Sequence, residues 1–177
     1  MVLYFSYACI KGAVFKGHSL CLAAQLSKHA HAKSVFFRGV VHSFDGSIEE
    51  AAALVALPNI AIGVNGCSLK TEANLAAVAT IPLDRLMLET DAPWCDIRPS
   101  HAAHRLLKQV HGAPAIDRKK HRPDARVKGR NEPSSMVQVL AAVAACRNAG
   151  EDEVAQAVYD NTMRMFFTER AGCGGDK

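Results

Sequence analysis

From Val14 onward, short apolar runs alternate with segments of helical length. Residues 35–42 (VFFRGVVH) read as a strand that enters a turn at Asp45-Gly46. Ser47 follows as a helix cap with Glu50 three residues later, the pairing of a capping box, and alanine and leucine carry the helix to Leu57. Pro58-Asn59 breaks it. Residues 60–64 (IAIGV) predict a second strand ending at Asn65-Gly66. Residues 71–79 predict a helix stopped by Ile81-Pro82, and residues 85–89 (RLMLE) a third strand. A weaker strand at 13–17 and a helix over 20–31 precede this series.

Strand, helix, strand and helix at this spacing argue for parallel βα units. Handed crossovers then lay the strands side by side in one sheet, with the helices outside. After Asp91 a long polar and basic stretch gives way to two helices, 133–147 and 151–167, the first with proline at a favourable early position. The expectation is one α/β domain of three or four βα units closed by a helix pair. Residues 1–17 stay unassigned, and 168–177 are expected to form a flexible tail.

With 177 residues, 49% hydrophobic and 21% charged, the chain has the make-up of a globular domain, not of a disordered tail or a coiled rod. It is short for a complete eight-stranded barrel, which usually takes about 250 residues. No apolar run reaches the roughly 20 residues that cross a bilayer. Residues 1–10 are apolar but lack the basic start of a secretory signal, and read as a buried strand or as misassigned sequence. The six cysteines include no C-x-x-C pair. Reduced thiols are therefore expected, in a cytoplasmic or nuclear protein, with mitochondrial residence also open.

Charge is concentrated. Between Asp117 and Arg130 lie Arg118, Lys119, Lys120, Arg122, Arg126, Lys128 and Arg130 against Asp117 and Asp124, a net of +5 in a chain whose total is +4. One segment thus supplies the whole positive excess. It is either a solvated surface loop or a loop that meets phosphates, and composition does not choose between them.

In parallel α/β folds, ligands gather at the carboxyl ends of the strands. His42, Asn65, and Glu89 with Asp91 fall at those ends, and His18 would end the weak first strand. A histidine beside a carboxylate suits a divalent metal, although a histidine in that position also serves as a plain structural hydrogen-bonder. His29 and His31 diverge on a helix and point to solvent. His101 and His104 could share one helical face but have no third ligand nearby. Neither a glycine-rich phosphate loop nor a G-x-S-x-G elbow occurs.

Five motifs then occur in a fixed order: VVHSFDG at 40–46, GVNGCSLKT at 63–71, LETDAPWC at 88–95, KGRNEP at 128–133, and Asn161-Thr162 before Phe166. Together they resemble the C-terminal part of the TatD-related deoxyribonucleases, in particular the eukaryotic branch, from about Arg38 to Phe167. These are metal-dependent hydrolases on an eight-stranded α/β barrel. The resemblance implies His42 as a metal ligand and Asp91 as a ligand that also orients or activates the attacking water. It places Glu89 beside them in the catalytic group, behind the metal and not on it. Arg130, Asn131 and Glu132 match the family's RNEP and, with Lys128, are expected on the substrate side of the mouth.

The family's N-terminal ligand pair and mid-chain glutamate have no counterpart here. His18, 24 residues before His42, falls near a further histidine ligand of the family, though residues 14–21 match that motif poorly. The fold expected is therefore an incomplete TIM-type (β/α) barrel, N-terminally truncated, with its C-terminal strands present. The implied activity is hydrolysis of DNA phosphodiesters by end trimming. A divalent ion would serve it, magnesium in the first place, with manganese or zinc also suited, and the basic loop would neutralise the backbone. A partial ligand set would hold metal loosely, and open strand edges would favour self-association. A non-catalytic nucleic-acid-binding remnant and a metal hydrolase of another ester are the alternatives.

Overall fold

The computed structural model describes residues 39–107 and 115–167, together with two short strands before them, β1 (Cys9–Ile10) and β2 (Ala13–Val14). These two pair antiparallel, Cys9 opposite Val14. Ala13-Val14 had the pattern of a first parallel strand, and here the expectation fails. Two residues separate it from β1, too few for the crossover that a parallel pair needs. His18, His29, His31, the helix expected at 20–31 and the tail at 168–177 lie outside the described residues.

The middle of the chain folds as its alternation predicts. Strands β3 (Gly39–Val41), β4 (Ile60–Val64) and β5 (Leu86–Leu88) form a parallel sheet in that order. Gly39 faces Ile60, and Gly63 faces Met87. Ile60, Ile62, Val64 and Leu86 belong to the main core, against the helices, whereas Ala61, Gly63 and Met87 alternate onto the other face.

Helix α1 (Ile48–Val55) crosses from β3 to β4. Ser47 Oγ accepts from the Glu50 N–H, and the Glu50 carboxylate accepts from the Ser47 N–H, so the capping box read from the sequence is present. The helix stops two residues short of Leu57, with Ala56 as its C-cap. Helix α2 (Glu72–Thr80), capped by Thr71 and Asn74, crosses from β4 to β5. Arg85 lies in a 3-10 turn (Leu83–Arg85) leading into β5, one residue earlier than the strand itself.

Helices α3 (Met136–Arg147) and α4 (Glu151–Phe166) close the layer. Pro133 begins a short 3-10 turn ahead of α3 and is not part of the helix itself. α3 is rich in alanine and valine and packs between α2 and α4. Its last residue, Arg147, places Nη1 within hydrogen-bond reach of the carbonyls of Val78 and Ala79 at the end of α2 and of Ile81 just past it, while the Val78 carbonyl also accepts from the Ile81 N–H. α4 opens on Glu151, Asp152 and Glu153, favourable at the positive end of a helix dipole. Asn161 donates from Nδ2 to the carbonyls of Leu83 and Leu86, both at 2.8 Å, and so ties α4 to the start of β5.

The basic stretch has more order than its composition suggested. β6 (Ala115–Ile116) and β7 (Arg126–Val127) pair in parallel, and Asp117 caps a 3-10 turn (Arg118–Lys120) between them. Among the described residues, no helix is long and apolar enough to cross a membrane.

Candidate active site

The carboxyl ends of β3 and β5 converge on one cluster. β3 ends at Val41, and the backbone turns at Ser43, whose φ of 53° is left-handed. The ladder then resumes, with the Phe44 N–H donating to the Gly63 carbonyl at 3.0 Å. On the other side, the Glu89 N–H donates to the Val64 carbonyl at 2.9 Å, which carries the parallel register one residue past β5. These two extensions bring His42 and Glu89 together across Gly63.

His42 Nδ1 lies 2.7 Å from Glu89 Oε2. The approach is short but oblique, and buried Nδ1 makes no well-aligned hydrogen bond. The Glu89 carboxylate also accepts from the Ser43 N–H at 3.1 Å. On the opposite ring edge, His42 Nε2 lies 3.0 Å from Ser43 Oγ and 3.7 Å from Asp91 Oδ1. Asn65 Nδ2 donates to Ser43 Oγ at 2.6 Å, which leaves the hydroxyl hydrogen free to point at Nε2. That network assigns the ring proton to Nδ1, facing Glu89, and the lone pair to Nε2, facing Asp91. The close approach of the Glu89 carboxylate raises the His42 pKa above its ordinary value; burial opposes this, and the charge of Asp91 adds to it.

Gly63 makes the cluster geometrically feasible. A Cβ built there would overlap the Glu89 carboxylate, so only a glycine lets the acid lie across β4. Gly66 does the same for the next loop, because a Cβ at that position would run into the Cys95 carbonyl. The segment from Asp91 to Cys95 therefore rests directly on the 3-10 turn Gly66–Leu69. Cys95 Sγ donates to Asp91 Oδ2 at 3.3 Å. Burial, the neighbouring Cys67 thiol and the Asp91 carboxylate all push the Cys95 pKa far up, so this thiol stays protonated.

The sequence-predicted residues divide accordingly. His42, Glu89 and Asp91 come together, with Asn65 and Ser43 behind the imidazole. Ser43 was missed from sequence, although its place beside a strand-end histidine was the available signal. Asn131 is 3% exposed: its Nδ2 donates to the Thr90 carbonyl at 2.8 Å and its Oδ1 accepts from the Glu132 N–H, so it fastens the basic segment to the end of β5. Lys128 and Arg130 are exposed nearby, and Arg130 lies 3.6 Å from Glu132. His101 caps a 3-10 turn (Ala102–Leu106), and its Nδ1 accepts from the Arg98 N–H at 3.4 Å.

A metal shared by two side chains at about 2.0–2.2 Å holds its donor atoms about 3.0–3.6 Å apart. His42 Nε2 and Asp91 Oδ1, at 3.7 Å, nearly meet that separation. Among the described residues, however, no three His, Cys, Asp or Glu side chains are grouped as a metal-binding set. The described residues fit one side of a coordination shell.

The model of the TatD related DNase family matches residues 20–167. The chain belongs to this family. Deoxyribonuclease Tat-D of Schizosaccharomyces pombe is 41% identical over 129 residues, which cover 73% of this chain and 41% of that protein. Deoxyribonuclease Tat-D of Saccharomyces cerevisiae is also 41% identical, over 72% of this chain and 34% of its own length. Among solved structures, the TatD-family hydrolase from Entamoeba histolytica superposes with a TM-score of 0.77 at 30% identity, over 87% of this chain and 50% of that one. The chain thus spans between a third and a half of these TatD-family relatives, and the span includes the strand ends that carry His42, Glu89 and Asp91.

Proposed function

We propose that this chain carries the C-terminal part of a metal-dependent deoxyribonuclease that hydrolyses DNA phosphodiester bonds, trimming a strand from its end. The single observation behind this reading is the convergence of His42, Glu89 and Asp91 at the carboxyl ends of parallel strands. The three strands would be a section of a (β/α) barrel, with the remaining ligands supplied from elsewhere, His18 among the candidates.

His42 Nε2 and Asp91 Oδ1 would hold a divalent ion, with magnesium the first candidate. When bound, such an ion polarises a phosphoryl oxygen and lowers the pKa of bound water. Glu89 holds the imidazole with its proton on Nδ1, so that Nε2 presents a lone pair. The Ser43 hydroxyl, held by Asn65 Nδ2, occupies Nε2 until a ligand displaces it. Asp91, on the Nε2 side of His42, would orient or activate the attacking water. Lys128 and Arg130 would neutralise the phosphates of the strand being cut.

Cleavage of end-labelled single-stranded DNA by the full chain in Mg²⁺ tests the proposal. Chelator and Asp91→Asn should each abolish product release. Cleavage that survives both would show that this cluster is not the active site. The ligand set, incomplete among the described residues, favours a second reading, a binding module without chemistry. DNA binding that persists in chelator, with no cleavage by soluble folded chain, would select it.

A further inference from the structure

At the mouth of the cluster the chain leaves its one tryptophan in water. Trp94 is 72% exposed, three residues past Asp91, in a turn closed by the Trp94 N–H donating to the Asp91 carbonyl at 2.9 Å. The turn is not a loose tip. Asp91 and Cys95 both hold left-handed backbone, with φ of 51° and 56°, which residues with a side chain adopt only at a cost. One flank rests on Gly66 through the Cys95 carbonyl. On the other flank, the Asn131 N–H donates to the Pro93 carbonyl at 3.0 Å while the Asn131 amide holds Thr90. Arg126 adds a tie at 3.8 Å to Asp96. A large indole held out in solvent by so many restraints is not an accident of a mobile loop.

The restraints also set what surrounds it. Asn131 follows Arg130 directly, so the hydrogen bond to Pro93 brings the end of the basic segment to the turn that carries Trp94. Lys128 and Arg130 are exposed there, and Arg98 is exposed beyond Cys95. An aromatic face, flanking cations and the carboxylate of Asp91 thus share a short stretch of surface. Aromatic faces take nucleobases by stacking, and the cations take the phosphates between them.

We propose that Trp94 is a stacking platform for the nucleobase adjoining the phosphodiester presented to Asp91, which holds that base against the indole while the strand lies in the site. The inference rests on the nuclease reading above and adds the element that would engage the base.

Because Trp94 is the sole tryptophan, fluorescence excited at the red edge of the indole band, beyond tyrosine absorption, reports on it alone. The chain is titrated with an oligothymidylate and with an abasic oligonucleotide of equal length, in chelator and again in Ca²⁺. Oligothymidylate should quench the emission saturably and bind about 5- to 150-fold tighter than the abasic strand. By anisotropy of labelled strands, Trp94→Ala should bind the two alike and Trp94→Phe should keep most of the difference, with thermal melts confirming that both variants fold. Equal affinity of wild-type chain for both strands, or a preference unchanged in Trp94→Ala, overturns the platform and leaves the nuclease reading standing. Binding of neither strand overturns both.

Discussion

Gly63 lies directly under the Glu89 carboxylate, and a methyl group at that position would overlap Glu89 Oε1. Gly63→Ala should therefore force the acid off His42 and off the Ser43 N–H. The expected loss is about 1–3 kcal/mol of stability, the range for inserting a methyl where none fits. In a Glu89→Ala background the same change should cost under about 1 kcal/mol, because the clash has been removed. Urea denaturation of the four chains reads this coupling directly, and equal costs in both backgrounds would contradict the contact.

Arg147 joins α3 to the end of α2 through three carbonyls, those of Val78, Ala79 and Ile81. Replacing it with methionine keeps the stem and removes the side-chain donor from all three, leaving Val78 only the Ile81 N–H. A loss of about 2–3 kcal/mol should appear as a lowered urea midpoint at unchanged slope. Arg147→Lys should recover part of it. A change under about 0.5 kcal/mol would mean that water replaces the guanidinium.

Asn161→Leu is nearly isosteric and removes the two bonds to Leu83 and Leu86. The Leu86 carbonyl then loses its side-chain donor and the Leu83 carbonyl keeps only the Leu86 N–H, so about 1–3 kcal/mol should be lost. Amide exchange should speed up first around β5 and the turn before it, since those are the groups that Asn161 holds. Uniform acceleration over the whole chain would argue for a global effect instead.

His101 sets a pH dependence. Burial lowers its pKa below 6.5, Lys70 and Arg98 lower it further, and Asp96 and the Gly66 backbone act the other way. The folded chain thus binds this proton less readily than the unfolded chain. Above pH 6.5 both states hold the ring neutral, and stability is undiminished. As pH falls from 6.5 through the folded-state pKa, stability is lost, and the loss levels off below it. His42 works in the opposite sense, so the test is a difference. Wild type minus His101→Gln, from denaturation at pH 7.5 and pH 5, should shift toward the variant at the lower pH.

The strands and helices with the clearest patterns were legible in the sequence for physical reasons. β4 is an unbroken apolar run buried on both faces, and the capping box at Ser47 is a local contact that a linear reading can see. His42, Glu89 and Asp91 were legible as strand-end residues. Their mutual contacts were not, because those depend on the parallel register of three strands far apart in sequence. Ser43 escaped notice for a similar reason: a left-handed turn after a strand has no strong signature when it is not a glycine. Asn131 and Asn161 appeared as motif letters, and their work as fasteners shows only in which carbonyls they reach. The antiparallel pairing of β2 ran against the parallel pattern because two intervening residues override any rhythm of apolar positions.

The register of β5 against β4 has one more consequence. Leu86 faces the core, Met87 opposes Gly63, and Glu89 shares the parity of Met87. A slip of one residue would turn the leucines outward and press a carboxylate into the hydrocarbon interior. The pairing that aims the acid at His42 is therefore the same pairing that keeps the interior dry. Misalignment carries its own penalty: a chain with this cluster out of aim would lose its core in the same slip.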